Sequence, residues 1–270
     1  MRLVNHATAE GPRAGLIRDG RVFAVRGAPG GGLQALLAAG SLGAAEAGDE
    51  VGDLELLPPI HRPGKIICIG LNYRAHAEEQ EREVPETPTF FAKFATSLRP
   101  AGATVELPHW SSKVDYEAEV AFVIGKRGRD ISAAEALDHV AGYSLLNDLS
   151  ARDYQFKTPQ WMPGKTFDGA APFGPALVTT DEAGPHDAIG IALDLNGERM
   201  QESSTADLVH SVPALIEYLS MLMTLEPGDV VATGTPSGVG SLRDPKVWLK
   251  PGDEVVVSSP QLGELRTTLA

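Results

Sequence analysis

Short apolar segments separated by glycine and proline turns recur through most of this chain, and they restrict it to a fold built largely from β-strands. Two copies of the phrase Leu-x-Pro-Gly-Asp, at 225–229 and 249–253, each precede a valine-rich segment. Proline followed by glycine suits a type II turn, so both copies predict the entry to a strand. Strand patterns lie at 65–69, 118–124, 230–233, 254–258 and, around an Asn-Gly turn, 192–201.

Helical patterns are few, so we expect a mostly β protein with a few helices, of the α+β class. A short helix is predicted at 33–39. A capping box formed by Ser132 and Glu135 predicts a second helix, which would end at Gly142. Apolar residues at helical spacing across 211–225 predict a third.

Residues 1–62 are expected to form a small domain separate from residues 63–270. An Asp-Gly pair at 19–20 lies between two short apolar segments and predicts a hairpin with a type I′ turn. A proline cluster from Pro58 to Pro63 then interrupts the chain before the first strong strand pattern. A chain of 270 residues is long enough for one large domain with a small appendage.

The charge balance of the chain excludes two classes of partner. Acidic residues number 36 and basic residues 23, so the formal net charge is −13, and nucleic acid and anionic membranes would be repelled. Cys68 is the only cysteine, which rules out an internal disulfide and fits a reducing compartment. No apolar run approaches the length that spans a bilayer, and the N-terminus has no signal core. We therefore expect a cytoplasmic protein with no nucleic-acid or membrane partner.

Three acidic residues stand in apolar surroundings and could form a metal site. Glu117 and Glu119 come just before the apolar run 120–124, and residues two apart in a strand project from one face. Asp148 follows a second apolar segment at a predicted strand end. Clustered carboxylates need a cation, and an all-oxygen set favours Mg²⁺, with Mn²⁺ or Ca²⁺ as alternatives. The simpler interpretation is a solvated strand face beside a turn cap.

Other sequence features could carry proton transfer and anion binding. His76 and Glu79 have the i, i+3 spacing of helix neighbours, so the carboxylate could orient the imidazole as a general base; alternatively, their acidic surroundings indicate an exposed charged helix. Lys165 follows a glycine, but Pro159 stands where a Walker A loop needs glycine. Lys165 is therefore either a contact for an anionic oxygen or a surface lysine. The loop 234–238 could hold a carboxylate, whereas a serine-hydrolase elbow and a dinucleotide fingerprint are both missing.

Five short segments occur in an order that resembles the fumarylacetoacetate hydrolase family. They span about residues 65–240, and their combination is far more specific than any one of them alone. They are Ile69-Gly70-Leu71-Asn72-Tyr73 with His76, Asp115-Tyr116-Glu117-Ala118-Glu119, Asn147-Asp148-Leu149-Ser150-Ala151-Arg152-Asp153, Gly164-Lys165-Thr166-Phe167-Asp168 and Thr233-Gly234-Thr235-Pro236-Ser237-Gly238-Val239-Gly240.

The resemblance implies a mixed β-sandwich or β-roll catalytic domain, usually in a homodimer, and it also implies roles for individual residues. One divalent metal would be held by Glu117, Glu119 and Asp148. A water-activating dyad on a lid would consist of His76 and Glu79. The substrate contacts implied are Lys165 with an oxyanion or enolate, Thr235 with a carboxylate, Arg152 and Gln155 in the neighbouring polar wall, and Lys93 as a further binding position.

The resemblance and the residues together predict chemistry on a small oxo acid. When the carbon-carbon bond beside a carbonyl breaks, an adjacent 2-oxo group can accept the electrons as an enolate, which a chelated metal stabilises. The expected reaction is hydrolysis of a 2,4-dioxo acid, of the acylpyruvate or fumarylpyruvate type, to pyruvate and a carboxylic acid. Alternatives on the same metal site are decarboxylation or isomerisation of a 2-oxo or 2-hydroxy-dienoate diacid, and cleavage of a sugar-acid diketone. A non-catalytic metal-binding or ligand-binding protein is the alternative from another class.

Overall fold

Two β-sheets with a common apolar interior organise the chain, whose computed structural model describes residues 1–52 and 54–270. The described strands are β1 (Arg2–His6), β2 (Arg13–Arg18), β3 (Arg21–Val25), β4 (Ala47–Glu50), β5 (Leu56–Leu57), β6 (Ile66–Gly70), β7 (Thr89–Lys93), β8 (Leu98–Arg99), β9 (Thr104–Val105), β10 (Val114–Asp115), β11 (Ala118–Ile124), β12 (Val140–Asn147), β13 (Ser150–Ala151), β14 (Ala171–Thr179), β15 (Gly190–Leu195), β16 (Glu198–Ser204), β17 (Val230–Ala232), β18 (Glu254–Ser259) and β19 (Gly263–Leu269). The described α-helices are α1 (Gly32–Ala38), α2 (Arg74–Glu79), α3 (Arg152–Gln155), α4 (Thr180–Ala183) and α5 (Val212–Leu222).

The larger sheet has the strand order β4-β3-β2-β1-β14-β12-β11-β17-β6-β7, with β5 paired to β1 and β8 paired to β14. The second sheet has the order β16-β15-β18-β19-β9, and β10 forms a separate pair with β13. Most neighbours are antiparallel, whereas β17 runs parallel to β6. The predicted mostly β fold with a few helices is therefore confirmed.

Strand β11 lies at the centre of the larger sheet, and its position explains the apolar run 120–124. Val120 and Phe122 belong to the interior that the two sheets share, whereas Ala121 and Val123 belong to a second apolar cluster that includes N-terminal residues. A strand covered on both faces needs an apolar residue at nearly every position. Glu119 is a carboxylate inside this fully buried strand.

Most local predictions are confirmed. The helix predicted at 33–39 is α1, and the one predicted at 211–225 is α5, whose first turn is capped by the Ser211 hydroxyl. Turns at 19–20 and 196–197 have positive φ at both residues, as a type I′ turn requires. Gly228 and Gly252 have φ of 89° and 91°, as expected for the third residue of a type II turn.

The helix predicted from the capping box is wrong. Ser132 Oγ donates to Glu135 Oε2 at 2.7 Å, but only a 3₁₀ turn at Ala136–His139 follows, and β12 then begins at Val140. Tertiary pairing overrides the local signal, because β12 lies between β11 and β14 in the larger sheet. Gly142 is no helix terminus: a Cβ there would lie 2.3 Å from the Val178 carbonyl oxygen, so glycine permits close approach of β14.

The N-terminal strands continue the larger sheet, since β1 pairs with β14. The predicted division into residues 1–62 and 63–270 stays a prediction.

Within the described residues, no helix combines the length and the apolar composition needed to cross a membrane.

Candidate metal and active site

Two adjacent antiparallel strands bring the three predicted metal-binding carboxylates together. Glu119 lies in β11, Glu117 immediately precedes this strand, and Asp148 immediately follows β12. The Asp148 N–H donates to the Glu117 carbonyl oxygen at 2.9 Å, which fixes the register of the two strand ends. One carboxylate oxygen from each residue lies within 4.8 Å of the others, and all three side chains are buried. The alternative of a solvated strand face does not describe this cluster.

Two of the carboxylates are ion-paired with basic side chains that are at most 10% exposed. Lys165 Nζ lies 2.7 Å from both Glu117 Oε2 and Asp148 Oδ2. Lys93 Nζ lies 2.6 Å from Asp148 Oδ1, and Arg152 Nη1 lies 2.6 Å from Glu117 Oε1. Burial alone would raise the pKa of Glu117, but the charges of Lys165 and Arg152 lower it to about 2. Glu117 is therefore held as a carboxylate.

Glu119 differs from its two neighbours because no basic side chain among the described residues forms an ion pair with it. Its Oε2 accepts a hydrogen bond from the Gly234 N–H at 2.9 Å. Burial, together with repulsion from Asp148 and Glu117, raises the pKa of Glu119 well above its ordinary value. A buried carboxylate without a cation is costly, and a divalent ion would remove that cost. The oxygen-only donor set and this unpaired side chain fit a hard divalent cation.

Close backbone packing seats Lys165 against the carboxylates. A 3₁₀ turn at Met162–Gly164 precedes Lys165, and a Cβ on Gly164 would lie 2.5 Å from the Ala151 carbonyl oxygen. Only glycine allows this approach. Burial alone would lower the pKa of Lys165, but the carboxylates of Asp148 and Glu117 raise it above its ordinary value. The side chain is therefore a fixed positive charge beside the cluster.

The predicted dyad is formed on α2. Glu79 Oε2 lies 2.8 Å from His76 Nδ1, and because a carboxylate only accepts, Nδ1 carries the proton. His76 Nε2 is then an acceptor, and it receives a hydrogen bond from Gln80 Nε2 at 2.8 Å. Glu79 Oε1 accepts from the Gly238 N–H at 2.9 Å, which ties the dyad to the loop that carries Thr235. His76 is buried, contrary to the alternative of an exposed charged helix.

Gln201 orients Thr235, a role that no pattern in the sequence indicates. Gln201 is buried; its Nε2 donates to Thr235 Oγ1 at 2.9 Å, and its Oε1 accepts from the Ala118 N–H at 2.9 Å. Because Thr235 Oγ1 accepts from Gln201, its hydroxyl proton stays available for another acceptor. The position of Gln201 beside Met200 in β16 identifies neither its burial nor a partner 34 residues away.

Asp115 and Asn72 also hold the site together; both lie in segments that resemble the family, but the resemblance assigns neither of them a role. Asp115 pairs with Arg152 at 2.8 Å and accepts from the Gly240 N–H at 2.8 Å. Asn72 donates to the Thr233 carbonyl oxygen at 2.9 Å and accepts from the His210 N–H at 2.8 Å. Both residues join segments that are far apart in the sequence, so their partners could not be deduced from spacing.

One cavity of about 530 Å³ connects most of these side chains. Lys93 is not among the described residues that line it: its ammonium lies beneath the cluster and donates to the carbonyl oxygens of Lys165 at 2.5 Å and Ala170 at 2.7 Å. Asp148 and Glu79 are also absent from the described residues that line the cavity, but they contact Lys165 and His76, which do line it. The predicted site residues that do line the cavity are His76, Glu117, Glu119, Arg152, Gln155, Lys165 and Thr235.

Comparison with known proteins agrees with this geometry. Residues 65–270 match the sequence profile described as the C-terminal domain of fumarylacetoacetate (FAA) hydrolase. The chain belongs to the fumarylacetoacetate hydrolase family. In this family it is 47% identical, over 215 residues, to a mitochondrial oxaloacetate tautomerase of Xenopus laevis, a match that covers 79% of this chain and 67% of that protein.

Solved structures of family members are similar to the whole fold. A 2-hydroxyhepta-2,4-diene-1,7-dioate isomerase from Mycobacterium marinum is 31% identical with a TM-score of 0.82, and the match covers 100% of this chain and 98% of that one. A fumarylpyruvate hydrolase from Pseudomonas aeruginosa, in complex with Mn²⁺ and pyruvate, is 34% identical with a TM-score of 0.71, covering 81% and 93%. The family thus contains tautomerases, isomerases and hydrolases.

Proposed function

We propose that this chain is a divalent-metal-dependent enzyme that interconverts the keto and enol forms of a small 2-oxo dicarboxylic acid, with oxaloacetate as the first candidate. The observation that carries the proposal is a single cavity that contains the Glu117, Glu119 and Lys165 cluster together with His76. An anion-stabilising centre and a proton acceptor are the two components that enolate formation needs. The 47% identity to an oxaloacetate tautomerase supports this reaction in particular.

Glu117, Glu119 and Asp148 would hold the metal, for which Mg²⁺ is the first candidate and Mn²⁺ the second. When bound, the ion supplies Lewis-acid stabilisation of an enolate. Lys93 would position Asp148 from below and would not touch substrate. Lys165 would place its positive charge beside the enolate oxygen, since its ammonium already lies against Glu117 and Asp148.

The remaining residues would orient the substrate and move the proton. Thr235 would donate its hydroxyl proton to a substrate carboxylate, and Arg152 and Gln155 would form the polar wall beside it. In the keto-to-enol direction, His76 Nε2 would take the proton from C3, solvent water would supply a proton to the oxygen at C2, and His76 would then return its proton to solvent. The reverse reaction would run the same transfers backwards. Gln80 would have to release Nε2 before this transfer, because it donates a hydrogen bond to that atom.

Hydrolysis of acylpyruvates is the second candidate, and the size of the cavity favours it. About 530 Å³ is more than a four-carbon diacid needs, so an acyl group could also be accommodated. The similarity to fumarylpyruvate hydrolase supports the same reading. In that reaction His76 would deprotonate a water that attacks the distal carbonyl, and the enolate would leave as pyruvate.

The homodimer and the cytoplasmic location stay predictions.

Ultraviolet absorbance of freshly dissolved enol-oxaloacetate tests the proposal. We expect the protein with Mg²⁺ or Mn²⁺ to accelerate the loss of the enol signal, and a chelator to abolish the acceleration. His76→Asn should lower kcat by ~10²–10⁴-fold, the usual contribution of a positioned general base. His109→Asn is the matched control, because His109 is exposed and does not line the cavity. Equal rates for His76→Asn and wild type would remove His76 from the mechanism.

Isotope labelling separates the two candidate reactions. In D₂O, tautomerisation exchanges the C3 hydrogens of oxaloacetate without breaking a carbon-carbon bond. In water enriched in oxygen-18, hydrolysis of acetylpyruvate or fumarylpyruvate would place the label in the released carboxylic acid. If labelled acid forms at least as fast as the C3 hydrogens exchange, hydrolysis replaces tautomerisation as the proposed reaction. If the protein catalyses neither exchange nor cleavage of these substrates with Mg²⁺ or Mn²⁺, both candidate reactions are overturned.

A further inference from the structure

Three basic side chains at the entrance of the cavity come from three separate segments of the chain. Arg82 follows α2, Lys113 precedes β10, and Lys246 follows the 3₁₀ turn at Gly240–Leu242. All three line the cavity, and all three are exposed. We call Arg82, Lys113 and Lys246 the entrance cations.

The entrance cations differ from the basic residues deeper in the cavity. The Lys165 and Arg152 side chains are only 2% and 10% exposed, and both are already paired with carboxylates at 2.6–2.8 Å. Over residues 1–52 and 54–270, in contrast, no carboxylate lies within 4.0 Å of the side-chain nitrogens of any entrance cation. Asp153 also lines the cavity, but its Oδ1 accepts a hydrogen bond from Ser111 Oγ at 2.6 Å.

This local excess of positive charge contrasts with the rest of the molecule. The chain carries a formal net charge of −13, which repels anions at long range. Unpaired cations around a concave entrance focus the field there and attract anionic ligands, and the attraction grows with the charge of the ligand. A dicarboxylate therefore gains more from the entrance cations than a monocarboxylate of the same length.

We infer that Arg82, Lys113 and Lys246 are specificity-determining residues that select 2-oxo acids with a second carboxylate remote from the 2-oxo acid group. The inference rests on the proposed function, because it assumes that the 2-oxo acid group binds at the carboxylate cluster. Beyond the proposed function, the inference assigns recognition of the second carboxylate to the entrance of the cavity. Arg152 and Lys165 neutralise protein carboxylates, whereas the entrance cations retain their charge for the ligand.

Calorimetry of the Mg²⁺-loaded protein with two ligands of equal chain length tests the inference. The ligands are 2-oxoglutarate, a dianion, and 2-oxopentanoate, a monoanion. We expect wild type to bind 2-oxoglutarate more tightly. Lys113→Gln, Lys246→Gln and Arg82→Gln should each weaken 2-oxoglutarate binding by about two- to fivefold, the range for exposed charge pairs. The triple variant should lose roughly tenfold or more, with at most about a twofold change for 2-oxopentanoate.

Two controls isolate the position of the charge. Lys126→Gln changes the net charge equally but alters an exposed lysine that does not line the cavity, so it should leave the preference unchanged. Added NaCl should reduce the wild-type preference for the dianion, because salt screens exposed charges. A wild-type protein without preference for 2-oxoglutarate would overturn the inference, as would a triple variant that keeps the preference. Failure of the tautomerase assay, by contrast, would count against the proposed function alone, since ligand binding is measured separately.

Discussion

Glu119→Gln is expected to abolish metal binding and lower activity by ~10³-fold or more, because several kcal/mol of enolate stabilisation would be lost. The metal-free variant should nevertheless fold normally, with a thermal midpoint equal to or above that of wild type. Glu119 is buried and forms no ion pair within residues 1–52 and 54–270, and its raised pKa reflects burial and repulsion from Asp148 and Glu117. A glutamine removes these costs, and its amide oxygen can still accept from the Gly234 N–H.

Titration calorimetry with MgCl₂ or MnCl₂, together with thermal unfolding in the presence and absence of metal, measures these effects. Wild type should gain stability on addition of metal, and Glu119→Gln should not. Glu106→Gln is the matched control, because Glu106 is exposed and outside the cavity. Wild-type metal affinity in Glu119→Gln would exclude the carboxylate cluster as the metal site. A strongly destabilised metal-free variant would instead contradict the electrostatic description of Glu119.

The strands of this fold could be predicted because their signals are local. The run 120–124 is apolar at every position, as a strand covered on both faces must be, and it forms most of β11. The turns at 19–20 and 196–197 have residues that tolerate positive φ. The capping box at 132–135 is equally local, yet only a 3₁₀ turn follows it, and β12 begins at Val140 because pairing with β11 and β14 outweighs the helix signal. The order of strands in the two sheets has no comparable local signal.

The candidate site was predictable where its residues lie close in sequence. Glu117 with Glu119, and His76 with Glu79, have spacings that place side chains together in a strand and in a helix. Asp148 is distant from this pair in the sequence: its place at a predicted strand end made it a candidate, and the resemblance to the family implied it as the third ligand. In the structure, pairing of Ala118 with Asn147 brings the two strand ends together.

Residues that position the site gave weaker signals. Gln201 has no distinctive sequence pattern around it, yet it is buried and links Ala118 to Thr235. Lys93 matches a family position, but the sequence could not show on which side of the carboxylate cluster its ammonium lies. Burial and hydrogen-bond partners decide such roles, and both depend on the assembled fold.

Lys93→Met is expected to destabilise the metal-free protein by about 3 kcal/mol, near the lower end of the cost of breaking a buried ion pair. Its ammonium lies 2.6 Å from Asp148 Oδ1 and donates to the Lys165 and Ala170 carbonyl oxygens, all of which would lose a partner. Lys165 still neutralises Asp148 in part, which limits the loss. In a chain of this size, the thermal midpoint should fall by about 6–12 °C.

Thermal unfolding and steady-state kinetics together separate support of Asp148 from contact with substrate. If Lys93 supports Asp148, Lys93→Met lowers the thermal midpoint and weakens metal binding, and excess metal restores part of the activity. If Lys93 touches substrate, as the family resemblance implies, KM rises while the midpoint and metal affinity stay at wild-type values. Lys126→Met, at an exposed position outside the cavity, controls for the loss of one positive charge. The hydrogen bonds to the backbone carbonyl oxygens of Leu149, Lys165 and Ala170 leave Lys93 little freedom to reach a ligand, so we expect the first outcome.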